Sequence, residues 1–341
     1  MTPKDRSEAN VRQTYVHFKS IDRMNKTLDQ EILPYPIRFG ILLEFDIPSI
    51  LCSIFLLYLL LSHRKLRQTL HNHIIIILLI VNLNSQLLDN SFYLHYLRIG
   101  YVRPSSPVLC IIWILVGYQT YVTSTLLVAL VSIQRHILIF HHRWILEKRN
   151  RLWIHYFPML ILLLYSLSYG CVLLILILTS QFTYDYNRPM CTQMEKWIKR
   201  YPGLSMWNLI VNELLPTPII VVFSFALLVR VVRHKHLVGL AITWRKQRKM
   251  TMQLLAISIL FCMINLPPIL LHTSRWIRDE QQLPGIRQAQ IYFSYFTYYQ
   301  SIFLPFVCIL SFVNDAKKLT VKMLKKTWPT FGEMRSFRLW I

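Results

Sequence analysis

Four carboxylates in this chain stand where a carboxylate is costly. Glu44, Asp46, Asp89 and Glu213 fall inside long apolar runs, and an ionised acid in hydrocarbon must be paired, solvated or put to use. Two uses fit their positions, all toward one end of their runs. They attract a basic group arriving from that side, or they pair with Arg38, Arg98 or Arg103 at the rim. Thiols raise a second chemistry: Cys110 opens the third run and Cys191 lies in the connector after the fourth, so the two share a side and can pair in an oxidising compartment. Cys52, Cys171, Cys262 and Cys308 lie within runs and read as small apolar residues. Neither a CxxC pair nor a Cys/His spacing points to zinc, and His234-x-His236 and His141-His142 belong to basic stretches, so no metal and no cofactor is expected. A Gly-rich phosphate loop, an HExxH and a nucleophile motif are all missing, which argues against an enzyme.

The elements that must position these groups are helices in a membrane. Of the 341 residues 54% are hydrophobic, yet the net charge is +22, and the two properties are segregated into long apolar blocks and short basic connectors. That segregation excludes nucleic-acid binding as the reason for the charge. The blocks fall at 39–62, 73–97, 108–140, 152–179, 204–232, 250–272 and 288–312, each near or above the roughly 20 residues that span a bilayer as helix. Barrel strands would be shorter and would alternate polar with apolar. The expected fold is an all-α integral membrane bundle of seven transmembrane helices over 37–312. An extracellular segment, 1–36, precedes it, and a cytoplasmic surface helix and tail, 313–341, follow. Gln119, Thr120, Thr123, Ser124 and Thr125 run through the third block, so that helix is expected to be surrounded by other helices. Pro267, Pro268 and Pro305 are tolerated as kinks.

Most Lys and Arg lie in the connectors 62–73, 141–151 and 230–249 and in the tail, which places that side in the cytosol and the N-terminus outside. Residues 1–36 have no apolar core, so the first span is expected to act as its own signal anchor. Asn25-Lys26-Thr27 is a glycosylation candidate at Asn25, on the outer side. Plasma membrane is the expected location.

With this topology, the chain resembles the rhodopsin-like (class A) G-protein-coupled receptors. Arg135 follows Cys110 by 25 residues, the family's interval between its third-helix cysteine and the arginine of its Asp/Glu-Arg-Tyr motif; here the motif reads Gln134-Arg135-His136. Phe261 and Pro267 match the sixth-helix pattern, with Asn265 in the place of its tryptophan. Leu304-Pro305-Phe306-Val307-Cys308 stands where the family has Asn-Pro-x-x-Tyr, and Pro216 marks the fifth helix. Asn82 falls where the family usually holds a sodium-binding aspartate, and Ser124 where it often has a serine of that site. Asn314–Trp328 looks like the family's amphipathic surface helix, with Leu319, Met323 and Leu324 toward lipid.

The resemblance implies a receptor that binds an extracellular ligand and signals to a heterotrimeric G protein by helix rearrangement. Arg135, Gln134, His136, Phe261, Asn265, Pro267 and Pro305 would form the activation switch, and Cys110 with Cys191 a disulfide. Asp89, Gly117, Tyr118, Glu213 and Asn265 would line the ligand pocket, while Asn82 and Ser124 would form a core polar site with little sodium sensitivity. Gln134 in place of an acid, and Gln247 twenty residues before Pro267, imply weak closure around Arg135 and basal activity. Gly117 lies eighteen before Arg135, where amine receptors carry an aspartate, which argues against a biogenic amine. Phe182–Thr192 has strand–turn–strand character, and the family's peptide receptors often have such a hairpin, so a peptide is the favoured ligand. Two other readings stay open: a receptor-like protein without G-protein coupling, and a secondary transporter, although no internal repeat is evident. Membrane lipid is the remaining partner; nucleic acid is not one.

Overall fold

Apolar segments of this length have one way to cross hydrocarbon, because every backbone N–H and C=O must be satisfied within the segment. The structure, a computed structural model, describes residues 34–140, 147–179, 184–191, 200–237, 241–277, 289 and 292–310. These contain seven helices long and apolar enough to cross a membrane: α1 Tyr35–Ser62, α2 Asn72–Ile99, α3 Pro107–Ile137, α4 Arg149–Thr179, α5 Pro202–Val229, α6 Leu255–Ser274 and α7 Tyr292–Leu310. Each overlaps the block read from the sequence. Asn25, the surface helix over Asn314–Trp328 and the side chain of Gln247 lie outside the described residues.

Helix α3 is the axis. It packs against α2, α4, α5 and α6, and 67% of its most apolar window is buried, against 22% for α4. Its polar stripe is what that burial satisfies. Gln119 Nε2 donates to Ser166 Oγ of α4 at 2.6 Å, and the Thr123 hydroxyl shares the same serine. Thr125 and Ser132 each donate to the carbonyl one turn back at 2.9 Å. Aliphatic side chains fill one end of the bundle, among them Leu56, Leu79, Leu127, Ile220 and Leu304. Aromatic ones, with Tyr93, Trp113, Tyr295 and Tyr299, fill the end that holds Cys110 and Cys191.

Three spans contain a π-helical turn: Gln86–Asn90 in α2, Leu152–Tyr156 in α4 and Asn208–Leu214 in α5. Such a turn widens the helix and re-aims its side chains, often where function needs them. In α2 it turns Gln86 onto two neighbouring helices. Gln86 Nε2 donates to Ser49 Oγ of α1 at 2.6 Å and to the Ser301 carbonyl of α7 at 2.7 Å, while its Oε1 accepts from Ser53 Oγ at 3.3 Å.

The connector after α4 differs from expectation. Over the described residues 184–191 no strand forms, and two successive turns end in a 3-10 turn, Pro189–Cys191. Asp185 N–H donates to the Cys191 carbonyl, Arg188 N–H to Asp185 and Cys191 N–H to Arg188, each at 3.1 Å. Two local features explain it. The Arg188–Asp185 ion pair at 3.2 Å closes the turn, and Met190 and Cys191 hold left-handed backbone, φ +56° and +52°, which a strand does not contain.

Gln86→Leu removes the tie among α1, α2 and α7, whose inter-helix bonds are worth on average about 0.6 kcal/mol each in a membrane. The expected result is a lower thermal midpoint for the detergent-solubilised protein, whereas Leu178→Ala on the exposed face of α4 leaves the midpoint where it was. Equal midpoints for all three proteins would show that the tie contributes nothing.

Candidate functional site

The disulfide end is built on one crosslink. Cys110 at the head of α3 is bonded to Cys191, with a Cα–Cα distance of 5.6 Å. The bond holds the neighbouring Met190 against α3, where its terminal methyl occupies the space a side chain at Gly117 would need. A Cβ at position 117 would also stand 3.5 and 3.6 Å from the two carboxylate oxygens of Asp89. The acid that position 117 lacks is thus delivered beside it from α2. Asp89 is 7% exposed, and its Oδ1 accepts a hydrogen bond from Trp113 Nε1 at 2.8 Å.

The second acid sits across the bundle. Glu213, on the π turn of α5, accepts from Asn208 Nδ2 at 2.7 Å through Oε1, and its Oε2 lies 3.0 Å from His272 Nδ1 of α6. Tyr118 belongs to this second group, packed with Val122, Tyr165, Tyr169 and Leu204. Tyr165 and Tyr169 donate to Asn212 and Asn208 at 2.8 and 2.9 Å. The pocket residues read from the sequence therefore divide into Asp89 with Gly117 and Glu213 with Tyr118. Asn265 is fully buried. It donates to the Phe261 carbonyl at 3.0 Å and to Gln300 Oε1, joining α6 to α7.

Pairing of the acids with rim arginines is corrected. Their partners are Trp113, Asn208, His272 and, for Asp46, Asn90 Nδ2 at 2.8 Å. Arg38 lies over the rings of Tyr35 and Tyr295, 5.9 and 5.4 Å from their centroids. Glu44 is corrected too: it lies on the exposed face of α1. Helical period explains this, since Leu42, Asp46, Ser49 and Ser53 share the inward stripe and position 44 falls opposite. Among the described residues no group of three His, Cys, Asp or Glu side chains is placed to hold a metal ion.

Asn82 and Ser124 are both buried, yet Asn82 Nδ2 bonds its own helix, at 2.7 Å from the Leu78 carbonyl. The larger polar network lies further along α2. Gln86, Asn90, Ser49 and Ser301, overlooked in the sequence reading, carry it; polar residues at 82, 86 and 90, one turn apart in an apolar run, were the available signal.

At the opposite end of α3, Arg135 is 2% exposed. Gln134 serves a different helix. Its Nε2 donates to the carbonyls of Ile154 and His155 at 3.2 Å, and its Oε1 lies 2.6 Å from His155 Nδ1. The π turn of α4 presents these groups. His136 meets Phe223 of α5 edge-on at 5.7 Å, and Phe261 is buried in the aliphatic core. Pro267 lies inside the helix Ala241–Ile277, of which α6 is the membrane portion. Pro305 is buried in α7.

A family model described as 7 transmembrane receptor (rhodopsin family) matches residues 53–307. No curated protein matches the chain.

Of the 6 cysteines, 4 are free. Denatured without reductant, the protein is expected to take a maleimide mass tag on each free thiol only, and on all six after reduction. Full labelling without reduction would rule out the crosslink that holds Met190 over Gly117.

Proposed function

Because this chain belongs to the rhodopsin family of seven-transmembrane receptors, we propose that it binds an extracellular ligand at its disulfide end and signals to a heterotrimeric G protein at its arginine end. The orientation follows from charge. The connectors on the Arg135 side carry most of the Lys and Arg, and such loops stay in the cytosol. A plasma-membrane location with the N-terminus outside and the C-terminus in the cytosol completes the reading.

One observation carries it: Arg135 lies at the cytosolic end of the bundle's central helix and is nevertheless 2% exposed. A merely positive-inside arginine would extend to the headgroups. A guanidinium held inside the helices is available to a partner only after they part, which makes it a two-state element. Ligand contacts at one end of α3 then bias a change at the other. Gln134 is bonded to α4, so the residue next to Arg135 contributes no acid to hold the closed state. Appreciable signalling without ligand is the consequence. No strand forms over the described residues 184–191, so the class of ligand is better argued from the acids.

In cells with matched surface levels, the wild type is expected to activate G proteins without added ligand, and Arg135→Ala to change that signal severalfold. Basal signal that Arg135→Ala leaves untouched would remove the arginine from the coupling step. Silence from both proteins would overturn the ligand-independent signalling and leave a ligand-dependent receptor, a decoupled one and a transporter to be separated by substrate uptake.

A further inference from the structure

Glycine at position 117 leaves a notch in α3, and what surrounds it is unusual for a membrane interior. On one side is the Asp89 carboxylate, whose Oδ1 is bound by Trp113. Among the described residues no side chain donates to Oδ2, which lies 3.6 Å from the Cβ position of Gly117. Buried at this depth with a single neutral donor, the carboxylate is ionised only when a cation accompanies it. Aromatic side chains surround this end of the bundle. Trp113 packs on Phe92 at 5.9 Å, and Tyr298 stacks on Tyr93 at 4.1 Å. A carboxylate in an aromatic cluster is a seat for an ammonium group, which gains an ion pair there and cation–π attraction from any ring face it meets.

Met190 closes that seat. Its methyl fills the notch at Gly117, and it comes from a connector pinned by the adjacent Cys191. Met190 itself holds left-handed backbone, φ +56°. A thioether is flexible and apolar and is held by packing alone, so a competing group can displace it. The volume it vacates is that of a methyl end, which suits a compact ammonium.

Resting on the receptor reading above, we propose that Asp89 is the counter-ion for a protonated amino group of the extracellular ligand, seated at Gly117, and that Met190 is a tethered plug which this group displaces. The missing acid at position 117 therefore does not exclude amines, because α2 supplies the carboxylate to the same place. Such an amino group belongs either to a small free amine or to the N-terminus of a peptide.

The test uses the purified full-length protein in lipid nanodiscs, with thermal midpoints read against increasing 2-phenylethylamine and the neutral 2-phenylethanol. A second arm compares phenylalanyl-phenylalanine amide with its N-acetylated form. Amine-bearing probes are expected to raise the midpoint and their neutral counterparts to leave it unchanged. A response to phenylethylamine alone would assign a small amine, and one to the dipeptide amide alone a peptide N-terminus. Asp89→Asn should weaken the response on the order of tenfold or more, and Met190→Ala should strengthen it by vacating the seat. Should Asp89→Asn fail to fold, Gly117→Ala keeps the carboxylate and fills the notch, and is expected to abolish the response. Equal shifts from charged and neutral probes, a full response in Gly117→Ala, or no response in either the wild type or Met190→Ala would each overturn the proposal. Because binding is read without a G protein, such a failure alongside an intact Arg135-dependent signal would sink the ligand assignment and leave the receptor reading standing.

Discussion

A polar side chain inside a bilayer has no water to turn to, so those of this bundle draw their hydrogen-bond partners from their own helix or a neighbouring one. The positions of the spans follow from that pairing. Gln86 bonds α1 and α7 from α2, Asn265 reaches from α6 to Gln300 of α7, and Ser224 of α5 meets Ser258 of α6 at 2.7 Å. Such inter-helix bonds average only about 0.6 kcal/mol, because side chains of an unfolded membrane helix also find partners. Their effect is on arrangement more than on stability: a rotated or shifted helix would strand several of them at once. Apolar packing alone, being as favourable against lipid as against another helix, would not choose.

The π turns are where this constraint meets function. Each of the three places a polar residue toward the centre of the bundle: Asp89 and Asn90 in α2, His155 in α4, Asn208 and Asn212 in α5. An extra residue in the turn loosens the regular ladder, and the side chains so directed are those that hold α3 at both ends. At one end the disulfide and Asp89 lie against it; at the other, Gln134 ties it to α4 while Arg135 stays buried. A ligand that alters contacts at the first end acts on a helix whose second end has few alternatives. On the proposed receptor reading, that is how coupling would cross the membrane.

Much of this was legible residue by residue. Long apolar blocks and the asymmetry of Lys and Arg gave span number and expected orientation, because hydrocarbon thickness and charge placement act on local sequence. Polar residues in the third block announced a surrounded helix, and α3 is the most buried span. Gly117 shows where reading along the chain stops. The carboxylate at its side belongs to Asp89, 28 positions earlier, and only the packing of α2 on α3 brings them together. Gln134 is similar: its neighbour in sequence is Arg135, but its partners are on α4. The connector over 184–191 looked like a hairpin by composition, yet an ion pair between residues three apart and two left-handed residues made turns instead.

By itself, then, the sequence determined that this chain crosses a membrane seven times as helices, which residues stand at each end of each span, and that Cys110, Arg135 and the helix prolines follow a receptor family's spacing. Those properties depend on length, hydropathy and order along one chain. Tertiary structure alone decided which face of each helix turns inward, that Glu44 lies outside and Asp46 inside, that Asp89 lies beside Gly117, and that Met190 fills the notch there. These depend on the rotation and close approach of helices distant in sequence, where a single π turn re-aims every side chain beyond it and no local pattern records the result.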